Sequence, residues 1–97
     1  MSTHTTPTES PAIAALLSAA ARCHQAGDLK AAERQYRIVL SQSPEHPQAL
    51  YLSGALDHQI GATEDALQKL KHSLAVRPGY LPAIEMLGAV TARAGKF

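Results

Sequence analysis

Trp is absent from this sequence, Phe occurs once and Tyr three times in 97 residues, so the aromatic platforms on which single-stranded bases stack are scarce. Neither sign of charge dominates, because nine Lys and Arg stand against eight Asp and Glu for a formal charge of +1. With no net field to collect a polyanion, attraction to nucleic acid is not expected. A single cysteine, Cys23, excludes an intrachain disulfide framework and a thiolate cluster for structural zinc, and fits a reducing, cytoplasmic compartment. Asn is missing altogether, which excludes N-glycosylation. No apolar run approaches the roughly 18 residues of a membrane span, and Met1 to Ser10 has neither the basic nor the apolar region of a signal peptide. A soluble chain without a membrane anchor is expected.

What is present describes one small helical unit. At this length only about 60 to 65% of the unfolded surface is buried, and a core of Leu, Ile, Val and many alanines is marginally stable. Met1 to Pro11 holds four Thr, two Ser and two Pro without a helical period, a composition that predicts a disordered N-terminal tail over 1–11. From Ala12 onward Ala, Leu, Gln and charged residues dominate, and apolar residues recur at helical rather than alternating spacing. Gly27-Asp28 ends one helix and caps the next. Ser43-Pro44-Glu45-His46-Pro47 ends the second and sets Pro47 in a first helical turn, where its missing amide costs nothing. Gly61 with Thr63 repeats the first kind of break, and Arg77-Pro78-Gly79 with Pro82 the second. Five helices are predicted: Ala12–Ala26, Leu29–Gln42, Pro47–Ile60, Thr63–Val76 and Leu81–Ala94.

The chain also repeats itself. A shift of 34 residues superposes Ala15/Ala49/Ala83, Leu16/Leu50/Ile84, Ala21/Ala55/Ala89 and Gly27/Gly61/Gly95, together with Ala32/Ala66, Leu40/Leu74 and Pro44/Pro78. About 13 of about 52 aligned pairs are identical, where this composition gives roughly four by chance. Small residues at Ala20, Gly54 and Gly88 let a paired helix approach closely, and Ala32 and Ala66 offer the matching small surface on that second helix. Tyr36 and Leu70 are expected to fill the space between consecutive units, with Pro44 and Pro78 turning the chain into the next hairpin.

The second unit carries Leu50-x2-Ser53-Gly54-x2-Asp57, then Ala66-x3-Leu70, then Pro78. The first has Leu16-x2-Ala19-Ala20-x2-Cys23, Ala32-x3-Tyr36 and Pro44, and a third begins with Ile84-x2-Leu87-Gly88-x2-Thr91. This pattern resembles the tetratricopeptide repeat family over nearly everything after Pro11. It departs from that family in lacking the opening Trp and in placing Cys23, Asp57 and Thr91 where a first-helix aromatic is usual. The resemblance implies an all-α solenoid of helix-turn-helix repeats, about two and a half of them in five helices, with a repeat domain over 12–97 and units near 13–46, 47–80 and 81–97, the last incomplete.

Chemistry of its own is not expected. Cys23 sits where the family packs its core, and His24 points about 100° away around the helix, so no base reaches the thiol. Asp57, Glu64, Asp65 and Glu85 form no recurring pair of carboxylates and read mostly as solvated, and no glycine-rich loop could cradle a phosphate. Neither a catalytic residue, a cofactor nor a metal site is assigned; His24 and His58, one unit apart, lie too far from each other to share an ion unaided. Lys30, Arg34 and Arg37 share one helix face, but Glu33 with Arg37 and Asp65 with Lys69 at i,i+4 spacing neutralise such surfaces.

In tetratricopeptide proteins the first helix of each unit lines a concave groove. The resemblance therefore implies a peptide-binding surface at Leu17, His24 and Gln25, at Gln48, Tyr51, His58 and Gln59, and at Glu85 and Arg93, with Ala14, Ala21, Ala55 and Ala89 between them. Leu17, Ala21 and Tyr51 stand where carboxylate-clamp members of the family use Asn, Lys and Arg, and there is no Asn for the backbone-gripping ladder of the sugar-transferase branch. The implied function is a protein–protein interaction module. The alternatives are the N-terminal repeat region of a larger glycosyl-, sulfo- or methyltransferase, recruiting substrate or dimerising the enzyme, and a self-assembly module. Finally, Ile84, Met86, Leu87 and Val90 make the last helix apolar where a terminal helix needs a polar outer face. This edge is expected to be covered by further repeats, by a second copy or by a partner, as if the chain ended inside a repeat.

Overall fold

The computed structural model describes residues 10–93. Five helices follow one another, α1 (Pro11–Gln25), α2 (Leu29–Gln42), α3 (Pro47–Gln59), α4 (Thr63–Val76) and α5 (Leu81–Arg93). Each lies within a residue of its predicted bounds, and no strand occurs among the described residues. Pro11, expected to end the tail, instead opens α1 behind the cap residue Ser10. Residues 1–9 of the expected tail, and Ala94 and Gly95 at the far end, lie outside the described residues.

The chain divides into two compact units, Met1–Pro44 and Glu45–Phe97. In the first, α1 and α2 form a hairpin. Buried residues recur at i, i+4 and i+7 on both helices: Ile13, Leu17 and Ala20 on α1, and Ala32, Tyr36 and Val39 on α2. One helical stripe each is what two packed helices require. Gly27 makes the turn in the left-handed region at φ 88°, which only glycine adopts without strain. Its amide donates to the His24 carbonyl at 3.1 Å while the Asp28 amide donates to Cys23 at 2.9 Å, the paired bonds that satisfy the last carbonyls of a helix. The Asp28 carboxylate then accepts from the Ala31 amide at 3.3 Å and caps α2.

In the second unit α3 and α4 form a hairpin whose turn reproduces the first at the 34-residue interval. Gly61 has the same φ of 88°, its amide reaches His58 at 3.1 Å, and the Ala62 amide reaches Asp57 at 2.8 Å. The cap is not reproduced. Ala62 holds the place of Asp28 and α4 starts at Thr63 with no side-chain cap, so Thr63 is the first helical residue rather than a capping partner of Gly61. Acidic Glu64 and Asp65 in the first turn of α4 complement the positive end of the helix dipole there instead.

α3 is buried on two faces, one with Ala49 and Leu56 and one with Leu50, Ser53, Gly54 and Asp57. The second face meets α4. A Cβ added at Gly54 would lie 3.2 Å from Leu70 Cγ and 3.4 Å from the Ala66 carbonyl oxygen, so glycine sets the approach of the two helices. Leu70, fully buried, thus packs into its own hairpin. Ser73 on α4, also fully buried, donates to the Pro47 carbonyl at 2.9 Å and ties the end of α4 to the start of α3. α5 completes the unit by placing Ala83 and Val90 in a cluster with Ala66 and Leu70, with Tyr51, Leu67, Leu74, Tyr80, Met86 and Leu87 against it.

This arrangement corrects the expected apolar edge of α5. Val90 is fully buried, and Met86 and Leu87 are half-buried against the cluster. Ile84 stays 43% exposed and is joined by Leu81 at 57%. Gly88 meets no close approach either, because nothing lies within 4 Å of a Cβ built on it.

Candidate interaction surface

The residues expected to contact a peptide fall into three groups with different surroundings. On α1, Leu17 is buried at 5% exposure and belongs to the core stripe, so its side chain is not presented to solvent. Gln25 is exposed. His24 lies between these extremes: its Nδ1 is 3.1 Å from the Tyr36 hydroxyl, and the two rings meet edge to face at 6.0 Å. Tyr36 is thereby a hydrogen-bonding element of its own hairpin and not only a filler.

On α3, Gln48 and Gln59 are exposed and His58 is half-buried. The counterpart of Tyr36 is Leu70, which has no hydroxyl to offer His58, so the two histidines are held differently despite the repeat. Tyr51 is half-buried with its ring edge to face with Tyr80 at 5.9 Å, and the Arg77 guanidinium sits 5.4 Å over the Tyr80 ring. Burial, helped by the neighbouring Tyr51 hydroxyl and opposed by Arg77, pushes the Tyr80 pKa above its usual 10.0. Tyr51 is therefore backed by an aromatic and a cation, a rigid support for an anchor. On α5, Glu85 and Arg93 are exposed.

Three features went unread in the sequence. Asp57, expected among the solvated carboxylates, is 5% exposed. Its Oδ2 pairs with Lys69 Nζ at 2.7 Å, an ion pair rather than a well-directed hydrogen bond, and the same ammonium donates to Ser53 Oγ at 2.8 Å. Lys69 consequently serves Asp57 across the hairpin and not Asp65 along its own helix, whereas the Glu33–Arg37 pair forms as expected at 3.3 Å. The 34-residue register held the signal: Asp57 and Lys69 align with Cys23 and Gln35, and in the first hairpin the Gln35 amide approaches Cys23 Sγ at 4.0 Å. Position for position, one hairpin uses an ion pair and the other a neutral contact. The third feature is His46, 7% exposed, whose Nδ1 accepts from the Ala49 amide at 3.2 Å and caps α3. Burial lowers its pKa from 6.5, against the smaller raising effect of a hydrogen bond with its own backbone.

Among the described residues no three His, Cys, Asp or Glu side chains come together as a metal site, and no helix is long and apolar enough to cross a membrane. Comparison with known proteins finds no matching family model, no similar curated protein and no similar solved structure.

Proposed function

We propose that this chain is a protein–protein interaction module of the tetratricopeptide kind. It holds a protein or peptide segment against exposed residues of α3 and α5 and carries out no catalysis. The observation that carries this reading is the turn-for-turn equivalence of the α1/α2 and α3/α4 hairpins at 34 residues, down to the matched φ of 88° at Gly27 and Gly61. The candidate contacts also suit such a role. Gln48, Gln59, Glu85 and Arg93 are exposed, mixed in character and nearly uncharged in sum, and Tyr51 is an aromatic braced by Tyr80. Specificity then comes from complementarity around one aromatic anchor rather than from a charge clamp.

The test is selection of peptides from a random 12-residue display library on the full chain, followed by single alanine substitutions. Tyr51→Ala is expected to weaken the selected peptides by at least about tenfold, and the exposed polar residues to contribute smaller, peptide-dependent losses, with helicity retained in every variant. Failure to select any peptide, or equal and negligible losses at all positions, would refute the reading.

A further inference from the structure

A 34-residue repeat gives α3 two neighbours in the chain that offer it nearly the same surface. Both α2 and α4 present a small residue and, four residues on, a large one: Ala32 with Tyr36 and Ala66 with Leu70, all buried. Residues 43–46 join α3 to α2, and residues 60–62 join it to α4. Loop-closure entropy varies only with the logarithm of length, so it separates these two choices little. Yet the face of α3 with Leu50, Ser53, Gly54 and Asp57 is taken by α4, with Gly54 against Ala66 and Leu70.

The second helices differ in the residue just before the large one. On α4 it is Lys69, whose ammonium lies 2.7 Å from the Asp57 carboxylate and donates to Ser53 Oγ at 2.8 Å. On α2 it is Gln35, which approaches the uncharged Cys23 at 4.0 Å. With its side chain 7% exposed, Asp57 set against α2 would be desolvated beside an amide that donates a hydrogen bond and carries no charge. The converse exchange, α4 against α1, meets a different obstacle. Ala20 holds the place of Gly54 on α1, and a Cβ at Gly54 lies 3.2 Å from Leu70 Cγ and 3.4 Å from the Ala66 carbonyl oxygen. The Ala20 methyl would therefore crowd Leu70. Lys69, a third exposed, can carry its ammonium outward, so on α1 the methyl rejects α4 more than the charge does.

We propose that the Asp57–Lys69 ion pair and the Ala20/Gly54 difference form a pairing code, which assigns each second helix to its own first helix and rejects the crossed hairpins that the repeat would otherwise permit. Asp57 keeps α3 for α4, and Ala20 keeps α1 for α2. A buried ion pair adds little net stability over a neutral pair of similar volume, so what it supplies here is the choice between partners, made by penalising the wrong one. Mispaired units are a characteristic failure of repeat chains. This device belongs to folding and does not depend on the function proposed above.

The test uses the full chain with nitroxide labels at Ala15→Cys and Gln42→Cys, exposed sites on α1 and α2, and reads the distance between them by pulsed electron paramagnetic resonance after refolding from urea. Cys23→Ser removes the competing thiol, and Ala20→Gly removes the methyl so that the charge is read alone. In this chain a single short distance across the hairpin is expected. Gln35→Lys with Lys69→Gln moves the ammonium from α4 to α2, and most molecules are expected to lose the short distance as α2 turns to Asp57. Placing Asp at 23 and Ser at 57 as well, by Cys23→Asp and Asp57→Ser, returns α2 to α1 and is expected to restore it. Asp57→Ser with Lys69→Gln, which leaves neither charge of the pair, is expected to stay helical and to show a second, longer distance beside the short one. An unchanged short distance in the chain with the moved ammonium would overturn the proposal, as would a longer distance that the fourfold exchange does not repair. Should the moved ammonium abolish helicity, a single short distance in the charge-free chain would overturn it instead.

Discussion

Removing Lys69 tests most directly how the second hairpin is held together. In Lys69→Ala the Asp57 side chain, 7% exposed, stays in a hairpin interior and loses its only ion-pair partner among the described residues. Breaking a fully buried pair in this way costs about 3–5 kcal/mol. The Lys69 side chain is 33% exposed, so water enters the gap, and the expected cost falls to about 2 kcal/mol. Asp57→Ala is expected to cost less, about 1 kcal/mol, because the lysine stem is long enough to carry its ammonium out to solvent. The double change Asp57→Cys with Lys69→Gln installs the neutral contact of the first hairpin and is expected to lie within about 1 kcal/mol of the native chain, since a neutral pair of similar volume avoids both desolvation costs. Urea denaturation followed by helical circular dichroism measures each of these chains, and the Asp57→Ala/Lys69→Ala chain closes the double-mutant cycle, with an expected coupling of about 1.5–2 kcal/mol. If Asp57→Ala proves as costly as Lys69→Ala, or if the double change costs the sum of the two, the ion pair is not what its geometry implies.

Two further outcomes follow from single positions. Gly54→Ala sets a Cβ 3.2 Å from Leu70 Cγ and 3.4 Å from a backbone oxygen; with Leu70 fully buried, crowding is expected to outweigh the gain in helix propensity and destabilise by about 1 kcal/mol. The same change at the equivalent Gly88 meets open space and is expected to stabilise by about 0.5–1 kcal/mol, so thermal melts moving in the same direction would refute the assignment of the two faces. His46 should make the fold sensitive to acid. Its folded pKa lies below 6.5, so the unfolded chain takes up a proton that the folded chain refuses; its contribution is whole above pH 6.5 and is lost as pH falls through 6.5 toward the folded value. A protonated Nδ1 also cannot accept from Ala49, a cap worth about 1 kcal/mol. His46→Asn, which retains an acceptor, is expected to flatten stability between pH 7 and 5 in denaturation curves, and an unchanged pH slope would refute this role.

Most of the local structure was legible in the residues because its causes are short-range. Gly27 and Gly61 mark turns that need positive φ, Pro47 marks a first turn, and the buried pairs Ala32-Tyr36 and Ala66-Leu70 follow from helical period alone. The candidate contacts were less legible. Leu17 sits on the core stripe of α1, and a groove position and a core position on one helix differ by less than a turn.

Five helices, their bounds and the 34-residue repeat follow from the residues alone, since turns, caps and periodicity act over a few residues. What each equivalent position does depends instead on how the helices pack. Gly54 is crowded and Gly88 open, Asp57 is buried and paired, and Leu50 is covered while Ile84 is not. Those differences depend on whether a neighbouring helix lies against a given face, and burial, close approach and the desolvation of charge are properties of the pair of helices rather than of either one.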